Sequence, residues 1–180
     1  GAGRIVPIKM RTMSLFESEE SKGLVSLQKL FSNESLEVFD LNNDFALNDT
    51  AYLICRGGWP ISILQNDKDL GLEITRNYYD SLFIFENSEN EKFRNKKPEL
   101  FKMILRSYAR NISAEVPNTT IIEDIKAKNS RTFDSKTFEE YMEALKDLYI
   151  IEDVTAWNPN IRSKTAIRTS PIRHFTDTSI

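Results

Sequence analysis

Arg162, Lys164, Arg168 and Arg173 fall in the stretch AWNPNIRSKTAIRTSPIRHF, residues 156–175, which contains no acidic residue. Cations without intervening carboxylates suit phosphate contact, because each neutralised phosphate releases condensed counterions. The same run would equally serve a basic hairpin that docks on an acidic protein surface, so the residues alone leave both readings open. His174 is the only histidine and sits between Arg173 and Phe175. A general base needs a Ser or Cys partner at a recognisable spacing, and none is present, so a structural or surface role is expected for it.

The remaining reactive side chains point away from catalysis. Cys55 is the sole cysteine, which excludes an internal disulfide and a cysteine-rich zinc site; inside an apolar helical run it is expected to be a buried, inert thiol. Glu17, Glu19 and Glu20, and Glu152 with Asp153, are acidic neighbours of the kind solvated faces carry. Tyr141, Met142 and Leu145 share a helical stripe that fits a core better than a ligand pocket. The glycines are Gly1, Gly3, Gly23, Gly57, Gly58 and Gly71, and none opens a GxxxxGK[ST] phosphate loop. The GAGR opening precedes a strand pattern, so no helix N-terminus is available there for an anion.

Composition narrows the partners. A formal charge of -3 and a pI near 5.4 give no general attraction to nucleic acid or anionic membrane, so any such binding must be local. With 180 residues and 40% apolar content, one good core or two small ones can form. No apolar run long enough for a membrane span and no signal-peptide pattern is seen, and a cytoplasmic protein is the expectation.

The elements that must position these groups read as mainly α with a small β component. RIVPIKM, residues 4–10, alternates like a strand but lacks a partner nearby in sequence. Short helical pieces follow around Leu15 and Phe16 and around Val25 to Phe31, separated by Gly23. Asn48 and Asp49 are candidate caps for a helix through Ala51 to Ile54 that ends at Gly57. The spacing of Leu72, Ile74, Tyr78, Tyr79, Leu82, Phe83 and Phe85 predicts a longer helix over 69–85. The charged stretch ENSENEKFRNKK, 86–97, reads as a loop, with a domain boundary placed at 91–97.

Beyond that boundary, Pro98 opens a helix toward Ser113. Thr119 or Thr120 caps a second helix through Ile125, and Asp134 or Ser135 caps a third through Leu148. YIIEDVTAW and KTAIRTSPIRHFTD then form two strands about an NPN turn, with Pro171 arguing for an edge. Three helices and a hairpin give a winged-helix order. Its third helix, the one that would enter a major groove, exposes Lys136, Glu139, Glu140, Glu143, Lys146 and Asp147. That net acidic face opposes phosphate and disfavours groove reading.

Three segments, GAGRIVPIKMRTMSLFESEES (1–21), ICRGGWP (54–60) and AWNPNIRSKTAIRTSPIRHFTDTSI (156–180), resemble a prokaryotic family of AAA-type P-loop ATPases with a C-terminal domain of unknown function. The resemblance implies that 1–90 is the end of the ATPase core plus a lid-like helical region. It further implies that 91–97 is a linker and 98–180 a winged helix-turn-helix module, truncated at its C-terminus. It also implies a noncatalytic middle fragment without Walker motifs, whose parent uses ATP and Mg while the fragment holds no cofactor of its own. The expected partners are the ATPase core, the C-terminal domain and a neighbouring subunit. The winged helix would couple nucleotide state to them, with a nucleic-acid-binding module as the alternative and no membrane. Arg4 and Arg56 are candidates for contacting the parent's nucleotide phosphates as guanidinium forks; the plainer reading makes Arg56 a helix C-cap and Arg4 a surface residue.

Overall fold

The structure, a computed structural model, describes residues 3–6, 8–32, 45–84, 96–128, 133–155, 157 and 169–180. It is mainly helical, with seven helices and a two-stranded antiparallel sheet among these residues. The chain divides into two compact units, Gly1–Asn77 with Asp177–Ser179, and Tyr78–Thr176 with Ile180. The linker placed at 91–97 lies outside the described residues except for Lys96 and Lys97.

In the first unit, helix α1 spans Leu27–Phe31 and buries nothing; the Ser26 hydroxyl caps it by accepting from the Lys29 N–H. Helix α2 spans Leu47–Arg56. Asp49 sits inside it, with its carboxylate accepting from the Ala46 N–H at 3.3 Å, so the helix starts one residue before the caps read from sequence. Gly57 ends it at φ +68°, a left-handed conformation that costs glycine little. Helix α3 spans Pro60–Ile63 and starts on its proline. Helix α4 spans Lys68–Ser81, where the Asp67 carboxylate accepts from the N–H groups of Asp69 and Leu70.

The strand expected at 4–10 is not formed by the described residues there. Ile5, Val6, Ile8 and Met10 are 77–92% exposed. A strand is held by bonds to a neighbouring strand, and β-propensity without such a neighbour does not make one.

In the second unit, helices α5 (Pro98–Arg110), α6 (Asn118–Lys128) and α7 (Ser135–Asp147) enclose one core. Each helix turns an apolar stripe inward: Phe101, Ile104, Leu105 and Tyr108 from α5; Ile121, Ile122 and Ile125 from α6; Phe138, Tyr141, Met142 and Leu145 from α7. Burying each such large side chain contributes about 1.5–3 kcal/mol, and packing is tight enough that the Phe101 and Tyr141 rings stand 4.6 Å apart. Asp134 caps α7 by accepting from the Thr137 N–H at 2.6 Å, as read from sequence. Strand β1 (Ile151–Val154) pairs antiparallel with β2 (Ile172–Phe175), with Asp153 opposite Arg173.

Strand β2 is an edge of this two-stranded sheet, part-covered by isolated bridges from residues 112 and 115. On its far side the Ser113 N–H donates to the Arg173 carbonyl at 2.8 Å, and the Arg173 N–H donates to the Ala114 carbonyl at 3.2 Å. Pro171 stays outside the ladder, one residue ahead of β2, where its missing N–H costs nothing. Helix α5 stops at Arg110 instead of Ser113 because this pairing takes residues 112–115 out of the helix.

Candidate functional site

The hairpin base is organised around one carboxylate. Alternation along β1 turns Ile151 and Asp153 inward, and the register brings Arg173 to the same face. The Asp153 side chain is 8% exposed and that of Arg173 is 2% exposed. Asp153 Oδ2 lies 3.1 Å from Arg173 Nη1 and 2.7 Å from Lys146 Nζ, while Oδ1 accepts from the Tyr108 hydroxyl at 2.7 Å. Arg173 also donates through Nε and Nη2 to the Val116 carbonyl and through Nη2 to Asn118 Oδ1. One arginine thus ties β2 to β1 and to the segment that leads into α6. A buried guanidinium with all of these acceptors meets the requirement that buried charge be both paired and hydrogen-bonded.

Sequence reading grouped Arg173 with Arg162, Lys164 and Arg168 as candidate nucleic-acid contacts; in the structure its guanidinium is buried and paired with Asp153. Burial pushes the Asp153 carboxyl up, but the hydrogen bonds of Lys146 and Tyr108 and the charge of Arg173 outweigh it, and its pKa lies below the ordinary value. Burial and the Asp153 hydrogen bond push the Tyr108 phenol in the opposite direction, well above its usual range. A depressed carboxyl stabilises the fold fully above the unfolded-state pKa of about 3.9 and loses that contribution as pH falls through the lower folded-state value. Acid titration followed by circular dichroism is therefore expected to weaken the second unit below about pH 4, and Asp153→Asn is expected to flatten this acid limb while lowering stability at neutral pH.

The outer face of α7 carries the other charges. Lys136, Glu139, Glu140, Glu143, Lys146 and Asp147 are all exposed, as expected from sequence. Lys146 leans toward Asp153, and Lys96 reaches Glu140 at 3.6 Å. Arg162, Lys164 and Arg168 lie outside the described residues. Trp157, at the head of their segment, is 85% exposed. His174 faces outward on β2 opposite Glu152, and its backbone N–H donates to the Tyr108 oxygen. Among the described residues, no group of three His, Cys, Asp or Glu side chains is placed to hold a metal.

In the first unit, Arg4 is exposed. Arg56 is buried, pairs with the Glu20 carboxylate, donates through Nε to the Gly57 carbonyl and stands 5.8 Å from the Tyr52 ring. Thr75 Oγ1 donates to the Arg56 carbonyl at 2.9 Å. The guanidinium therefore completes the end of α2. Burial pushes the Glu20 carboxyl up, but its bonds to Arg56 and Ser18 outweigh that and lower it.

Next to Arg56, the Gly57–Gly58 turn is gripped from two sides. The Met13 N–H donates to the Gly58 carbonyl at 2.8 Å, and the Gly58 N–H donates to Asp177 Oδ2 at 2.8 Å. Ser179 accepts from Trp59 Nε1 at 3.0 Å, and the Thr178 hydroxyl donates to the Ile54 carbonyl at 2.9 Å. Cys55, expected to be buried, is exposed, because α2 turns Tyr52 and Arg56 inward at helical spacing and leaves position 55 off that face. Sequence reasoning missed both the 112–115 pairing and the docking of residues 177–179. For the second, the RGGWP turn was a usable signal, since two successive glycines mark close backbone approach.

A family model described as Domain of unknown function (DUF8612) matches residues 47–180. No curated protein and no solved structure matches the chain.

Proposed function

We propose, from the premise that the chain belongs to the DUF8612 family, that it is a noncatalytic coupling module whose second unit is a winged helix with protein partners. The order α5, paired segment 112–115, α6, α7, β1, β2 supports the winged-helix reading. The parent of this module is an AAA-type ATPase that uses ATP and Mg. The module packs on the ATPase core, a C-terminal domain or a neighbouring subunit and passes nucleotide state between them, in the cytoplasm. Among the described residues, no helix is long and apolar enough to cross a membrane.

One observation carries the choice of protein over DNA. The exposed side of α7 holds Glu139, Glu140, Glu143 and Asp147 against Lys136 and Lys146. Groove entry by that helix would set carboxylates against phosphates and forfeit the counterion release that dominates affinity. The burial of Arg173 removes one further cation from the basic stretch. Arg4 and Arg56 would contact the parent's nucleotide phosphates, with Arg56 held by Glu20. Unchanged ATP turnover in a parent carrying Arg4→Ala or Arg56→Ala would remove that role.

The alternative is a nucleic-acid-binding wing, favoured by the exposed Trp157, which precedes Arg162, Lys164 and Arg168 in the sequence, since an exposed aromatic can stack a base. Fluorescence anisotropy of labelled duplex and single-stranded DNA at about 50 mM and about 200 mM salt separates the two. The wild type is expected to show no salt-sensitive binding, whereas combined Glu139→Lys, Glu140→Lys and Glu143→Lys substitutions bind duplex at least about tenfold more tightly at the lower salt. Wild-type binding that disappears in an Arg162→Ala, Lys164→Ala, Arg168→Ala variant would replace the coupling reading with the nucleic-acid one.

A further inference from the structure

The first unit contains three residues from far along the chain, Asp177–Ser179, whose immediate neighbours Thr176 and Ile180 belong to the second unit. Their hold on the Gly57–Gly58 turn is polar and centred on one side chain. Asp177 is 5% exposed. Its Oδ2 accepts from the Gly58 N–H at 2.8 Å, and its Oδ1 accepts from the Ser179 N–H at 2.9 Å and the Ser179 hydroxyl at 2.5 Å. Ser179 in turn receives the Trp59 indole N–H at 3.0 Å. The receiving surface is shaped for these atoms: a Cβ on Gly57 would lie 2.0 Å from Asp177 Oδ1 and 2.7 Å from Ser179 Oγ. Such a separation requires the strap or the turn to move.

We infer that Asp177–Ser179 is a strap that closes over the Gly57–Gly58 turn and releases as one piece, with the Asp177 carboxylate as its latch. Three features make release separable from unfolding. The strap is three residues long, it is fastened by hydrogen bonds instead of buried apolar side chains, and none of its residues belongs to the helical core of the second unit. Segments of this kind occupy the low-stability end of a protein's opening events. The use of the strap, though not its existence, rests on the coupling reading. On that reading, the strap, reached one residue after β2, is a switchable contact on the Gly57–Gly58 turn.

Amide hydrogen exchange on the full chain tests this directly, since the N–H groups of Gly58 and Ser179 both donate to Asp177. In Asp177→Ala, exchange at these two amides is expected to accelerate at least about tenfold, while amides inside α5 and α7 keep their wild-type protection. Gly57→Ala should show the same pattern from the opposite side of the contact. Asp177→Asn, which keeps one carbonyl acceptor, should give a smaller acceleration and serves if the alanine variant does not fold. Unchanged exchange at Gly58 and Ser179 would overturn the strap, and so would simultaneous loss of protection in α5 and α7, which would make the segment part of global folding. The DNA titration that tests the coupling reading involves different residues, so either idea can fail without the other.

Discussion

Arg173→Ala destabilises the second unit by about 3–5 kcal/mol, the cost of leaving a buried charge without its partner. Urea unfolding followed by circular dichroism reads this as a lower midpoint at nearly unchanged slope. The size follows from what is stranded. Asp153, with a side chain 8% exposed, retains only Lys146 and Tyr108, while the Val116 carbonyl and Asn118 lose their donor. Lys146 is about half exposed, so Lys146→Ala is expected to cost far less. A paired substitution, Asp153→Leu with Arg173→Met, should cost much less than the two single changes together, because replacing both charges by apolar groups removes the desolvation penalty along with the attraction. A loss below about 1 kcal/mol in Arg173→Ala would put this arginine in the class of surface ion pairs and return it to the residues available for phosphate.

That arginine also marks how far the sequence could be read. The three helices of the second unit were legible because each carries its own instructions: Pro98 at a helix start, Asp134 at an N-cap, and apolar stripes at helical spacing. The β1–β2 pairing was legible from the two apolar runs around NPN. The fate of Arg173 was not, because a basic residue looks the same in sequence whether it faces solvent or a buried carboxylate twenty positions away. Only the register, which sets Asp153 opposite Arg173, decides between them. Once both strands are assumed, the inward alternation of Ile151 and Asp153 would have supplied that clue. The exposed acidic face of α7 was readable for the opposite reason, since its charges lie off a stripe that helical periodicity fixes alone.

The first unit was harder because its order comes from contacts between distant segments. Residues 4–10 have strand propensity, and the described residues among them form no strand, as expected when pairing and not propensity forms sheets. Cys55 shows the same limit on a smaller scale: the apolar run suggested burial, yet the inward face of α2 is set by Tyr52 and Arg56, and a charged residue is the buried one. Apolar character predicts burial only when the face is known, and here the face is chosen by the Glu20 carboxylate and the Thr75 hydroxyl.

Gly58→Ala tests whether the turn between α2 and α3 is the junction that orders this unit. A Cβ at position 58 would lie 2.1 Å from the Met13 carbonyl oxygen and 2.9 Å from the Met13 nitrogen. Both are backbone atoms that no rotamer change can move, and the Met13 N–H is itself bonded to the Gly58 carbonyl at 2.8 Å. The methyl must therefore displace the N-terminal stretch or the turn, and a loss of about 2–3 kcal/mol is expected, at the upper part of the range for overpacking. Gly71→Ala is the control. Its Cβ would meet the Ser62 carbonyl and the Tyr52 hydroxyl at 3.2 Å, which a few tenths of an ångström relieve, while alanine in a helix gains about 1 kcal/mol over glycine. Thermal unfolding of both variants should find Gly71→Ala within about 1 kcal/mol of wild type and Gly58→Ala clearly below it. Equal stability for the two would mean that Met13 yields freely, and that the contacts with Asp177–Ser179 hold the turn without it.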